Sequence, residues 1–515
     1  MTWLTTVLAL VPLVGALVVA LIKGPVAKTV GLVFAFGTLV LGAIVGVLYW
    51  QGHALDASVG WLPPLGSSYN LRLDGMGLAM VVLTCFLVPL VLIAEWTTGR
   101  QTTAAADDDG PAWSAKSYVS LTLLVESFSL FVFLAGDVLL FYIFFEATLI
   151  PMYFLIGGFG PDREKARRAA LKFLFFGLLG GLIMLFAVIG TAALSADANN
   201  GALSLDIATL GSLDLGGSTL AKVTFAAFFV AFALKAPMVP AHTWLPEAAS
   251  QSTAGGAAIM VGVLDKLGTF GMIRLCVGLF PGEASWATPL IVVLALISIF
   301  YGALAAVGQK NLMRLVAFTS ISHFGFMVLG IFALTTPALT GSIFYMVNHG
   351  LATGALFLLV GYLIKRRGSA DVGAFGGVAK LAPVAAGFTL VAGLAGCALP
   401  GTSSFVSEFL VIAGSWPRFS VVAGIATGGV ILAALYIFWM YQRVMTGPVP
   451  DDVAATVTEL NGRERLAVIP LLVAIIGLGF FPRPALSVIE PASTAIMASA
   501  GQTDPAPQID VEGVR

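Results

Sequence analysis

Leu234-Lys235-Ala236-Pro237-Met238-Val239-Pro240-Ala241-His242-Thr243-Trp244-Leu245-Pro246-Glu247 follows an apolar run, 223–234, that reads as half of a membrane helix. A charged side chain such as Lys235 costs about 2.5 to 3.5 kcal/mol at the centre of a membrane helix on the insertion scale. Three prolines in the next eleven residues also remove backbone donors from the helix. Neither feature is tolerable facing lipid. Broken backbone at membrane depth persists only where protein buries it or where it lines a wet cavity, so the stretch is a candidate ion site in a transporter-like protein. Pro237 and Pro240 are expected to free backbone groups that hold water beside Lys235.

The composition around this stretch fits a bilayer. The chain has 515 residues, of which 58% are hydrophobic and 10% charged, where a soluble domain carries about 25% charged residues. It reads as an all-α polytopic membrane protein with the lipid bilayer as its surroundings. A net charge of -1 and the lack of any basic run or groove-reading motif exclude nucleic acid as a partner. Cys85, Cys276 and Cys397 lie far apart in apolar segments, without the spacing of a metal cage, and read as small buried hydrophobes. No dinucleotide fingerprint follows a strand. The chain itself is therefore expected to hold no metal and no redox cofactor. Its first apolar run, 3–22, has no charged lead and reads as a spanning helix rather than a signal peptide.

Windows of about 20 apolar residues predict fourteen transmembrane helices, at 3–22, 29–49, 77–96, 117–135, 137–156, 170–194, 220–247 (broken), 254–278, 287–308, 312–334, 337–364, 381–414 (broken), 419–445 and 465–482. With this count, eighteen of the 26 lysines and arginines fall on the side of the first loop, among them Lys23, Lys28, Arg163, Arg167, Arg168, Arg314 and Arg366, and five on the other. By the positive-inside rule the first loop is cytoplasmic and both termini lie outside. Residues 51–76 are predicted to form a small external hairpin, and 98–112 and the tail after Ala500 to be solvated. The mixed-charge turn 162–172 reads as a solvated face and an orientation signal.

A second break, at Leu399-Pro400-Gly401-Thr402, lies five predicted spans after the first. In each case an acid follows a proline of the break by seven or eight residues, Glu247 after Pro240 and Glu408 after Pro400. Five is odd, so two five-helix units would have opposite orientation: inverted repeats with one broken helix each. The expected divisions are 1–116 (helices 1–3 and loops), 117–280 (repeat one, helices 4–8), 281–446 (repeat two, helices 9–13) and 447–515 (helix 14 and tail).

Ionisable residues inside the spans are few: Glu126, Asp137, Glu146, Lys235, Asp265, Lys266, His323, His349 and Glu408. Burial of such groups is costly, which makes a functional role the default. Asp137 reads equally as a helix cap, and either histidine as a neutral imidazole satisfied by a carbonyl. No nucleophile with its base, no metal-ligand spacing and no phosphate loop accompanies them. The remaining chemistry is that of a proton relay. At an effective dielectric near 20, a Glu146–Lys235 attraction of about 4 kcal/mol at 4 Å falls to about 2 at 8 Å, a difference large enough to bias protonation.

Several motifs occur in order. They are Phe145-Glu146 with Pro151-Met152-Tyr153-Phe154; Lys235-Ala236-Pro237 with His242 and Trp244-Leu245-Pro246-Glu247; Leu264-Asp265-Lys266-Leu267-Gly268; Ser322-His323; Asn348-His349-Gly350; and Leu399-Pro400-Gly401-Thr402. Over about 70–485 the chain resembles the antiporter-like membrane subunits of proton-pumping NADH:quinone oxidoreductase, respiratory complex I. Glu408, at a position where other branches tend to carry lysine, and the absence of a long lateral helix resemble the M branch, the counterpart of mitochondrial chain 4. The resemblance implies that Glu146 pairs with Lys235, Lys266 is a central station, His323 and His349 continue the axis and Glu408 ends it. It implies a bacterial cell (inner) membrane and other complex I membrane subunits as partners, two antiporter-like ones flanking this chain. It also implies an indirect link to a peripheral redox arm, with NADH, FMN, iron-sulfur clusters and quinone held by partner subunits. A multi-subunit cation/proton antiporter or a membrane hydrogenase is the alternative. Asp265 departs from the family pattern, in which an apolar residue usually precedes the lysine.

Overall fold

The computed structural model describes residues 3–99 and 113–505. Most of the expected solvated segment 98–112, and the tail from 506, lie outside the described residues. Among the described residues, eleven helices are long and apolar enough to cross a membrane, or twelve if the bent pair Gly462–Phe480 and Arg483–Ser499 is one span. The fourteen predicted windows exceed this count at three places. Lys235 and the prolines stop Thr219–Lys235 after 17 residues. The windows 381–414 and 419–445 meet inside Ser403–Met445, 43 residues joined across a kink at Phe419, whose backbone is non-helical (φ -138°, ψ 58°). Gly462–Phe480 opens on Arg463, Glu464 and Arg465, too many charges for an apolar span.

Polar caps start many of the helices. Ser114, Asp162, Ser218, Thr253, Asn311 and Thr335 each accept a hydrogen bond from a backbone N–H of the first turn, which satisfies a donor with no partner inside the helix. Asp137 does the same for Leu139 and Leu140, and it also accepts from Ser67 Oγ (2.9 Å) and the Ser68 N–H (3.0 Å). Its role is to cap a helix and tether a hairpin. That hairpin is the predicted one: Ala57–Leu62 pairs antiparallel with Ser67–Leu71, turning at Gly66 with φ 63°, where a side chain would be strained.

Burial sorts the helices into two layers. Ala254–Val277 and Leu312–Phe332 are buried over 100% of their apolar windows and Thr336–Arg367 over 94%, whereas Val26–Trp50, Arg163–Ala198 and Ser403–Met445 are buried over 28%, 39% and 33%. The outer helices present Leu182, Ile189, Val421 and Ile431 outward, a surface that only lipid or an apolar partner would cover. Lys266, His323 and His349 all lie on the inner three helices and are buried.

The chain continues past the last predicted span as Arg483–Ser499, bent 71° from Gly462–Phe480 and packed against Gly75–Ala94 and Thr336–Arg367. A hydropathy window misses it because only one stripe, including Ile489, Ala492, Ser493 and Met497, is buried. At the start of Gly75–Ala94, Asp74 pairs with Arg274 at 2.7 Å. Burial raises the Asp74 pKa, but the Arg274 charge and hydrogen bond, with the Gly77 N–H, bring it below the ordinary carboxylate value.

Candidate functional site

Lys235 is the last residue of Thr219–Lys235. The break beyond it exposes backbone groups that are partly taken by protein: Trp244 Nε1 donates to the Leu234 carbonyl at 2.9 Å, and the Val239 N–H donates to Ser298 Oγ at 3.0 Å. These two side chains fill much of the role expected of water. The Lys235 ammonium lies 4.9 Å from the Phe145 ring centre and donates to Thr148 Oγ1 at 3.1 Å. Thr148 sits where Val138–Ala147 gives way to Leu149–Phe159, two residues after Glu146. Beside Lys235 is a cavity of about 10 Å³ lined by Phe145, Phe173, Gly177 and Trp244, at the lower limit for a single water.

Glu146 lies over the backbone of Arg163–Ala198. A Cβ on Gly181 would meet its Oε2 at 2.1 Å, so glycine is what allows this approach. Its Oε1 is buried without a hydrogen-bond partner. Glu146 and Lys235 act on each other electrostatically, yet among the described residues no ion pair within 4.0 Å includes either one. The expected pair is thus open, and its attraction is below the value of about 4 kcal/mol that contact at 4 Å would give. Glu247 is not a second buried acid, for it pairs with Lys172 at 2.7 Å and is nearly half exposed.

Lys266 is completely buried. It follows a π-helical turn, Met260–Leu264, a feature common at functional sites. Its ammonium donates to the Val261 carbonyl (2.8 Å) and to His349 Nδ1 (2.5 Å), and stands 4.8 Å from the Phe324 ring centre. Because Lys266 has only protons to give, His349 accepts at Nδ1 and carries its own proton at Nε2, which has no protein partner. The His349 and His323 rings are 5.3 Å apart between centres.

From His323 the line continues through hydroxyls. Tyr345 donates its hydroxyl to Glu408 Oε2 at 2.8 Å, so the 2.6 Å contact of His323 Nδ1 with the same hydroxyl makes Nδ1 the donor. His323 Nε2 then accepts from the Tyr436 hydroxyl at 3.3 Å. Glu408 Oε1 is buried and unpartnered. Asn348 secures the second break from the neighbouring helix, donating to the Ser403 carbonyl (2.9 Å) and Ser407 Oγ (3.2 Å).

The structure therefore joins Lys266 to His349, and His323 to Glu408 through Tyr345. It leaves Glu146 and Lys235 apart and a ring-to-ring step between the histidines. Thr148, Tyr345 and Tyr436 were not anticipated. Tyr345 had a signal: it precedes His349 by four residues and so shares its helix face. Among the described residues, no group of three His, Cys, Asp or Glu could hold a metal ion.

Residues 135–435 match the family model described as NADH:quinone oxidoreductase/Mrp antiporter, TM. NADH-quinone oxidoreductase subunit M of Mycobacterium tuberculosis is 43% identical, with 98% of this chain and 96% of that protein covered. The chain belongs to the subunit M family. Another relative, NADH-ubiquinone oxidoreductase chain 4 of Arabidopsis thaliana, is 34% identical over 92% of this chain and 93% of its own length. A chain of respiratory complex I from Thermus thermophilus superposes with a TM-score of 0.86 at 28% identity, covering 96% of this chain and all of that one. Subunit M relatives thus span both breaks and every residue of the buried polar line.

Proposed function

We propose that this chain is a proton-translocating membrane subunit of NADH:quinone oxidoreductase and that its protons move along the buried line Glu146, Lys235, Lys266, His349, His323, Tyr345 and Glu408. The observation that carries the relay is the run of direct polar contacts from Lys266 to His349 and from His323 through Tyr345 to Glu408, all made by buried side chains. Lysine and glutamate supply stations that hold a proton. Histidine and tyrosine, each both donor and acceptor, pass one on by exchanging partners. Opening and closing the Glu146–Lys235 gap changes their attraction by about 2 kcal/mol between 4 and 8 Å, which is enough to load or unload the first station.

The chain is the ion-moving part of an enzyme complex. Redox chemistry with NADH, FMN, iron-sulfur clusters and quinone belongs to partner subunits, and two other antiporter-like subunits flank this one. Fourteen spans follow if the broken segment 219–250, both halves of Ser403–Met445 and Gly462–Phe480 each count as a crossing. Two inverted units, 117–280 and 281–446, then carry one break each. The excess of basic residues on the side of the first loop supports an orientation with both termini outside, in a bacterial inner membrane.

Membership of a family shared with Mrp antiporters leaves an antiporter as the second reading, and the identity with subunit M over nearly the whole chain favours the first. Purification in mild detergent decides between them. The expected result is that flavin- and iron-sulfur-containing chains and NADH:quinone activity co-purify with this chain. Isolation without them, together with sodium-dependent rescue of a salt-sensitive cell, would overturn it.

A further inference from the structure

Asp265 has no place in the line described above, yet it is the acid closest in sequence to its centre. It is completely buried, and neither carboxylate oxygen has a protein hydrogen-bond partner. A buried carboxylate without donors is among the most costly arrangements available to a helix, and an apolar residue would remove that cost.

The helix face on which Asp265 lies gives it a direction. Asp265, Gly268 and Gly271 recur at intervals of three and form one row. A Cβ on Gly268 would meet the Ala236 N–H nitrogen and the Phe232 carbonyl, both at 2.7 Å, and one on Gly271 would meet the Phe232 ring at 2.5 Å. The row therefore packs on Thr219–Lys235 and leads, at Asp265, to its lysine end. Lys266 instead shares its side of the helix with Gly262, whose added Cβ would lie 3.6 Å from the Gly350 carbonyl, and it reaches His349. Neighbouring residues thus face opposite halves of the line. The charges that act on Asp265 are Lys266 of its own helix and Lys235 across the helix pair.

We infer that Asp265 is a proton-carrying station between Lys235 and Lys266, bridging the gap that no other titratable side chain of the proposed line fills. The Lys235 ammonium gives a proton to the Asp265 carboxylate, leaving a neutral amine and a carboxylic acid. The acid then rotates and gives its proton to the neutral Lys266 amine, restoring the carboxylate and forming the ammonium. One proton advances and no electron moves. This rests on the relay reading above, and it makes this chain's route differ from one in which an apolar residue precedes the lysine.

The test is Asp265→Asn, with Asp265→Glu and Lys235→Ala beside it, in the whole complex purified and placed in liposomes. NADH oxidation by an artificial acceptor reports assembly, and NADH-driven proton uptake is followed from about pH 6 to 9. Expected is a loss of at least about tenfold in proton uptake for Asp265→Asn at every pH, with Asp265→Glu recovering most of it and artificial-acceptor activity unchanged. Uptake within twofold of wild type overturns the inference. So does a full-height pH profile merely displaced along the axis, which would make Asp265 a positioning counter-ion for Lys266. If Lys235→Ala also retains uptake, the relay reading itself fails; if it alone stops uptake, only the role of Asp265 does.

Discussion

Lys266→Ala is expected to lower NADH:quinone turnover coupled to proton movement by about 10²-fold or more, the range lost when a positioned acid or base is removed. The Lys266 ammonium bridges the Val261 carbonyl and the His349 ring nitrogen Nδ1. Removing its side chain leaves the buried His349 Nδ1 without its donor. A structural cost accompanies this, so Lys266→Met, which keeps most of the volume, separates the two effects. Both variants are expected to lose turnover while NADH oxidation by an artificial acceptor persists. Turnover at the wild-type rate in Lys266→Met would remove the lysine from the relay.

Tyr345→Phe deletes one hydroxyl and keeps the ring. The hydroxyl is the shared partner of His323 and Glu408, so its loss leaves Glu408 with no hydrogen bond at either oxygen and His323 Nδ1 with no acceptor. Unsatisfied buried groups cost about 1–3 kcal/mol each. If that cost falls on the transfer step, turnover drops by about tenfold for each 1.4 kcal/mol. The control lies on the same helix: the buried Tyr362 hydroxyl has no partner, so Tyr362→Phe is expected to leave turnover unchanged. Equal rates for both variants, measured as quinone reduction by the reconstituted complex, would show that the line does not pass through Tyr345.

Much of this arrangement is legible in the sequence because burial makes charges conspicuous. Lys235, Lys266 and Glu408 stand out in apolar runs, and the prolines near Lys235 and Glu408 announce broken backbone at both places. Tyr345 does not stand out, since a tyrosine in a membrane helix is common and only its four-residue spacing from His349 hints at a shared face. Tyr436 offers no such hint. The open Glu146–Lys235 gap depends on Gly181 letting the carboxylate settle against a third helix, a packing detail that spacing does not encode. Arg483–Ser499 escaped because a one-sided apolar stripe never reaches the hydropathy of a span, and Asp265 acquired its meaning only when Gly268 and Gly271 located the helix it faces.

NADH-driven proton uptake by liposomes carrying the complex with Lys235→Ala tests the central claim most directly, because this lysine stands at the break between the first acid and the buried centre. The account predicts uptake reduced to the level of uncoupled vesicles with artificial-acceptor NADH oxidation intact. Uptake at the wild-type rate and stoichiometry would contradict it.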